Sequence, residues 1–169
     1  MSQETNTLKS GLIMTIFPNA LGFGFSIMKD ALTVEMAQTV AVKPRPISNA
    51  KALKKIREKI AYYEPNTIII EDYQKSRKSK RVSKLLKRIS EFCKERNIDF
   101  FTYSRKDIRF VFSNFNAHTK YEIAKAISEN VDSMKDRLIE KRKCYEGEAY
   151  VTGAFDAVSL GITHFYMTD

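Results

Sequence analysis

Chemistry in this chain is most legible at Thr67-Ile68-Ile69-Ile70-Glu71-Asp72, where four β-branched residues end in two adjacent carboxylates. Tyr73-Gln74 follows, and then a dense basic run from Lys75 to Arg88. An acidic pair at a strand end beside a basic helix is a recurring arrangement in metal-dependent enzymes that act on nucleic acid. The same pair could instead face solvent or cap the next helix, and residue types alone leave both readings open.

A run of β-branched residues without alternation suits a short strand buried on both faces, hence a central parallel strand. Sites in open α/β sheets form outside the carboxyl ends of such strands, which is where Glu71 and Asp72 fall. Residues 1–10 are polar and expected to be disordered. Leu12 to Phe17, Leu21 to Met28 and Leu32 to Val42 read as three strands joined by short turns, an antiparallel meander closed by Pro44 and Pro46. Ser48 or Asn49 then caps a helix to about Tyr63, with Ala50, Leu53, Ile56 and Ile60 at helical spacing. After the acidic strand come a basic helix over about 77–96, a strand from Ile98 to Tyr103, and a short helix capped by Ser104. Helices over Thr119–Val131 and Tyr150–Phe165 follow, with a charged stretch, Ser133 to Lys143, extending or following the first of them. A meander feeding α/β crossovers predicts one mixed sheet, three antiparallel strands plus two parallel ones, with helices on both faces, and residues 11–169 forming a single domain.

Composition narrows the function. With 43% apolar and 29% charged residues, the 169-residue chain has the makings of one filled core. A net charge of +9 favours a polyanionic partner, nucleic acid ahead of an anionic membrane surface. Neither Cys93 nor Cys144 has a neighbouring Cys or His at zinc-ligand spacing, no disulfide framework is implied, and Cys93 is expected to be a buried thiol. The absence of a signal-like start or a membrane-length apolar run predicts a soluble, cytoplasmic protein with no membrane partner.

Four local patterns resemble the RuvC-type Holliday junction resolvases of the ribonuclease-H-like fold, across about residues 11–166. Ile16-Phe17-Pro18-Asn19 followed by Gly22-Phe23-Gly24 resembles the family's first hairpin, usually Ile-Asp-Pro-Gly then Gly-aromatic-Gly. Ile69-Ile70-Glu71 resembles its second acidic strand end. Tyr103-Ser104-Arg105 through Val111, then Thr119-Lys120-Tyr121, resembles its tyrosine-basic segment and Lys-containing helix start. Asp156-Ala157-Val158-Ser159-Leu160-Gly161-Ile162-Thr163-His164 resembles its terminal helix, usually Asp-Ala-x-x-Leu-Ala-x-x-His. The last match is the most specific.

The resemblance implies two Mg²⁺ or Mn²⁺ ions about 4 Å apart, held by several carboxylates, that activate water and stabilise the leaving oxygen of a phosphodiester. No small-molecule cofactor is implied. Glu71 and Asp156 match the family's acids as catalytic metal ligands and are expected to lie near each other. Phe17 stands where the first-strand aspartate belongs, and Gly153 where a further acid belongs one turn before Asp156. Asn19, Glu146 and Glu148 are the substitute oxygen donors within reach in sequence. The basic residues Lys75, Arg77, Lys78, Lys80, Arg81 and Lys84 suit phosphate contact without base reading, and Arg105 and Lys120 extend them toward the acids. Phe110, Phe112 and Phe115 are candidates for stacking on unpaired bases, with at least two of them expected in the core. His164 is expected to pack on its helix, and His118 to begin one.

Three functions follow. The leading one is a RuvC-like nucleic-acid-binding protein with a depleted metal site, taking DNA ahead of RNA. The second is an active Mg²⁺- or Mn²⁺-dependent, structure-selective endodeoxyribonuclease, and the third is a protein-interaction module that binds no nucleic acid. A homodimer is implied by the resemblance only, because a four-way junction is two-fold symmetric.

Overall fold

The computed structural model describes residues 11–75, 78–138 and 148–168. The predicted disorder of residues 1–10 lies outside that range, as do Arg77, Cys144 and Glu146. Strands β1 (Ile13–Pro18), β2 (Gly22–Met28), β3 (Val34–Ala41), β4 (Thr67–Glu71) and β5 (Asp99–Tyr103) form one sheet in the order β3-β2-β1-β4-β5. β1 and β2 pair antiparallel, as do β2 and β3, whereas β4 runs parallel to both β1 and β5. This is the mixed sheet the residue pattern predicts. β3 begins at Val34 rather than Leu32, because Asp30 Oδ1 accepts hydrogen bonds from the amides of Leu32 and Thr33 and holds that stretch in a turn.

β4 explains the layering. Ile68 and Ile70 point into one apolar cluster and Ile69 into another, each fully buried. Helices α1 (Asn49–Tyr63) and α2 (Lys80–Glu95) cover the first cluster through Ala52, Ile56 and Ile60 and through Val82, Leu85, Leu86, Ile89 and Cys93. Burial pushes the Cys93 thiol up to about 11, so it packs as a small apolar group. Ser48 caps α1 and Ser79 caps α2, so the basic helix starts at Lys80, three residues later than its charge run suggests.

Helices α3 (Arg105–Ser113), α4 (Lys120–Asn130) and α5 (Glu148–Thr168) cover the other face. A 3₁₀ turn, Asp132–Arg137, follows α4 in the charged stretch, whose remainder from residue 139 lies outside the described residues. Of the three phenylalanines on and after α3 only Phe112 is in the core. Phe110 is 67% exposed and Phe115 43% exposed, which corrects the expectation of at least two: Phe110 falls on the solvent side of α3, and Phe115 lies beyond its end. α5 lies close on the sheet. A Cβ at Gly24 would collide with the Gly153 carbonyl, and one at Gly161 with the Met28 sulfur, so β2 and α5 approach as only glycine permits. His164 packs on α5 as expected, its Nδ1 2.8 Å from the Tyr103 hydroxyl.

Candidate functional site

Strand parity places the site. Glu71 lies two residues beyond Ile69 and shares its face, and Phe17 belongs to the same cluster, so both side chains turn toward α5. Asp156 comes down from α5 onto the same spot. The structure thus brings Glu71 and Asp156 close enough for their charges to interact, as the sequence predicts. Asp72 leaves: its Oδ1 accepts from the Gln74 and Lys75 amides, so it shapes the turn after β4.

Both acids are already paired. Lys78 Nζ lies 3.0 Å from Glu71 Oε1, and Lys120 Nζ lies 3.6 Å from Asp156 Oδ2. The Lys78 ammonium also sits 4.6 Å from the centre of the Phe17 ring, a cation–π distance. Burial pushes the Asp156 carboxyl up to about 6; Lys120, Arg105 and Lys78 pull it down, and Glu71 adds to the upward push. Glu71 is 2% exposed, and its Oε2 has no hydrogen-bond partner among the described residues.

Two divalent ions do not fit these donors. No group of three or more Asp, Glu, His or Cys able to hold a metal exists among the described residues. Phe17 offers a hydrocarbon ring at the first-strand position. At Gly153 a Cβ would collide with the Thr39 hydroxyl and lie 3.0 Å from Asn19 Nδ2, so an acid there would have to displace the Thr39 side chain. Asn19 spends its Oδ1 on the Leu21 and Gly22 amides and closes the β1–β2 turn, and it is no substitute ligand. Dense negative charge is what holds two dications together; here lysines have neutralised it.

The surroundings are strongly basic. A cleft of about 770 Å³ is lined by Arg45, Lys78, Arg81 and Lys120 together with Phe17 and Asp156. A second, of about 310 Å³, shares Phe17, Lys120 and Asp156 and adds Arg105, Arg109 and His118. Capping boxes at Ser104/Asp107 and Thr119/Glu122 start α3 and α4 so that Arg105 and Lys120 are their first residues. Cations at helix N-termini oppose the helix dipole, and α2, opening on Lys80 behind the cleft-lining Ser79, repeats the pattern. At α3 and α4 the capping carboxylates of Asp107 and Glu122 already take the N-cap amides, so it is the side chains of Arg105 and Lys120 that bring positive charge to the clefts.

The fold has known counterparts. Thermus thermophilus RuvC superposes with a TM-score of 0.64 over 93% of this chain and 95% of its own, at 14% identity. T. thermophilus RuvC in complex with Holliday junction substrate gives 0.62, with 93% and 94% covered, again at 14% identity. The fold is that of RuvC. The sequence itself matches no protein-family model and no curated protein. The ribonuclease-H-like fold that the resemblance implied therefore holds.

Within this RuvC-like frame the basic residues divide. Lys78, Arg81, Arg105 and Lys120 reach the clefts, whereas Lys75, Lys80 and Lys84 are exposed outside their linings. Arg81 is partly committed to structure, donating to the Asn19 carbonyl at 2.7 Å and so bracing the β1–β2 turn against α2. Arg45 was missed. Lying between Pro44 and Pro46 in the crossing from β3 to α1, it reads in sequence only as part of a strand terminator.

Proposed function

We propose that this chain is a RuvC-like nucleic-acid-binding protein, related to junction-resolving endonucleases, in which the metal site has been given up. Glu71 and Asp156 remain as paired, charge-balancing acids. The observation that carries this reading is the pairing itself: each acid in a metal-ligand position has a lysine ammonium against it, at the meeting point of two basic clefts. Lys78, Arg81, Arg105 and Lys120 would line the path of a phosphate backbone, with Lys75, Arg77, Lys80 and Lys84 widening the field around it. The junction-bound relative of the same fold favours DNA over RNA as the ligand. We further propose that residues 11–169 act as a single unit, as a cytoplasmic homodimer matched to a two-fold junction. No helix among the described residues is long and apolar enough to cross a membrane.

One observation favours a second reading. The buried, unpartnered Glu71 Oε2 is an oxygen that a Mg²⁺ or Mn²⁺ ion would satisfy, with Asp156 as a further ligand. Such a site would make the chain a metal-dependent endonuclease. A labelled four-way junction and a matched duplex, each with Mg²⁺, Mn²⁺ or EDTA, separate the two. Binding without cleavage, falling on the order of a hundredfold between roughly 50 and 200 mM salt for about four phosphate contacts, supports the binding reading. Metal-dependent cleavage lost in Glu71→Gln and Asp156→Asn supports the nuclease.

A further inference from the structure

We propose that Lys78 is a tethered cation at the centre of the cleft: its ammonium group holds a backbone phosphodiester of the bound nucleic acid, so this chain grips its ligand without metal. The inference rests on the nucleic-acid reading above and adds to it the group that makes the central contact.

Three features place Lys78 in that role. Its side chain, 19% exposed, lines the larger cleft, so the ammonium is sheltered yet reachable. Glu71 Oε1 at 3.0 Å uses one of its three N–H donors, and the Phe17 ring supports it from 4.6 Å. The phenylalanine that removes a metal ligand thus provides the face against which the lysine rests. Ser79, the next residue, caps α2, so the loop delivers Lys78 at the amino-terminal end of a helix, where partial positive charge adds to its own.

The local charge balance points the same way. Lys78, Lys120 and Arg105 face Glu71 and Asp156, which leaves one positive charge in excess before Arg45 and Arg81 on the cleft wall are counted. A divalent cation entering this centre meets repulsion, and a phosphate monoanion meets attraction. The centre of the site has changed sign. A sharp consequence is that removing an acid should help even with Mg²⁺ present: Glu71→Gln frees the Lys78 ammonium from its counterion and should tighten binding, whereas an acid holding a metal that bridges to the phosphate would weaken binding in Mg²⁺ when removed.

The experiment measures the affinity of the full chain for a labelled duplex and a four-way junction across a salt series, with EDTA or Mg²⁺. Lys78→Met alone strands Glu71 as a buried unpaired charge, so the decisive comparison is Lys78→Met/Glu71→Gln against Glu71→Gln, in which only the ammonium is lost. Expected are wild-type binding unchanged by EDTA, tighter binding by Glu71→Gln, and a double variant weaker than Glu71→Gln by on the order of tenfold with a salt slope smaller by about one. Lys29→Gln, beyond the opposite end of β2 and paired with Glu35, is the control for surface charge. Salt-sensitive wild-type binding together with a double variant that binds as tightly as Glu71→Gln would overturn the role of Lys78 and leave the nucleic-acid reading standing. Binding that requires Mg²⁺ or Mn²⁺ would put a metal where Lys78 is placed here and overturn it too. No wild-type binding at low salt would remove the nucleic-acid reading itself.

Discussion

The two faces of the sheet are built on different terms. Under α1 and α2, β1 and β4 present Met14, Ile16, Ile68 and Ile70 to an apolar cluster. Under α5, the same strands present Thr15, Phe17, Ile69 and Glu71, and the layer contains the buried Thr15–Ser26 hydroxyl pair, the Tyr103–His164 hydrogen bond and the Lys78–Glu71 ion pair. Apolar packing is non-directional and tolerates small shifts, whereas a buried polar group costs stability unless its partner is in place. The α1–α2 face therefore serves mainly as scaffold, and the α5 face trades packing freedom for placed charge.

The largest expected effect breaks the scaffold face. Ile70→Ala should cost about 2–5 kcal/mol of stability through lost burial and a residual cavity, read as an earlier midpoint in chemical denaturation. On the opposite face, Lys78→Met should cost about 2 kcal/mol, less than a fully buried pair loses because Lys78 keeps some solvent. The paired variant Lys78→Met/Glu71→Gln should recover most of that. A loss as large in the paired variant as in the single one would mean that packing, not charge, governs this face.

A third test uses pH. The Asp156 carboxyl is raised to about 6 in the folded chain, above the 3.8 of an unperturbed aspartate. Between those values the folded state holds the extra proton, so stability from this group rises as pH falls from about 6 toward 4 and is lost as pH rises through 6. Protonation also removes a negative charge facing Lys120, Arg105, Lys78 and Glu71, so nucleic-acid affinity should rise from pH 7 to pH 5.5. Asp156→Asn should flatten that rise. The smallest effect is expected outside the clefts. Lys84→Gln should change stability by no more than about 0.5 kcal/mol and lower the salt slope less than any cleft variant does.

Much of the scaffold was readable in the chain. Four β-branched residues without alternation suit a strand buried on both sides, and Ser104 marked a helix start because a hydroxyl before an amphipathic run has a defined job. Ser48 was one of two candidate caps, and Thr119 was placed one residue inside the helix it caps. The nearness of Glu71 and Asp156 was legible through the resemblance, and so was the extension of Arg105 and Lys120 toward them. The place of Lys78 was not. From Lys75 to Arg88 the basic residues look alike in sequence, and only the folded structure shows that Lys78 is one that reaches Glu71. Arg45 escaped for a related reason: a residue between two prolines shows no periodicity, so only the three-dimensional course of the β3–α1 crossing reveals what it faces.

The close seat of α5 on the sheet also makes this a site with a one-way door. Consider single substitutions leading from it toward a four-carboxylate centre. Exchanging Phe17 for aspartate is a local matter of volume and charge, but any side chain at Gly153 meets Thr39 and Asn19, and its backbone already rests against Gly24. Room must be made on a neighbouring strand before an acid there can contribute anything, so the first step is uphill and unrewarded. The packing around Gly153 thus makes that position harder to refill with an acid than Phe17.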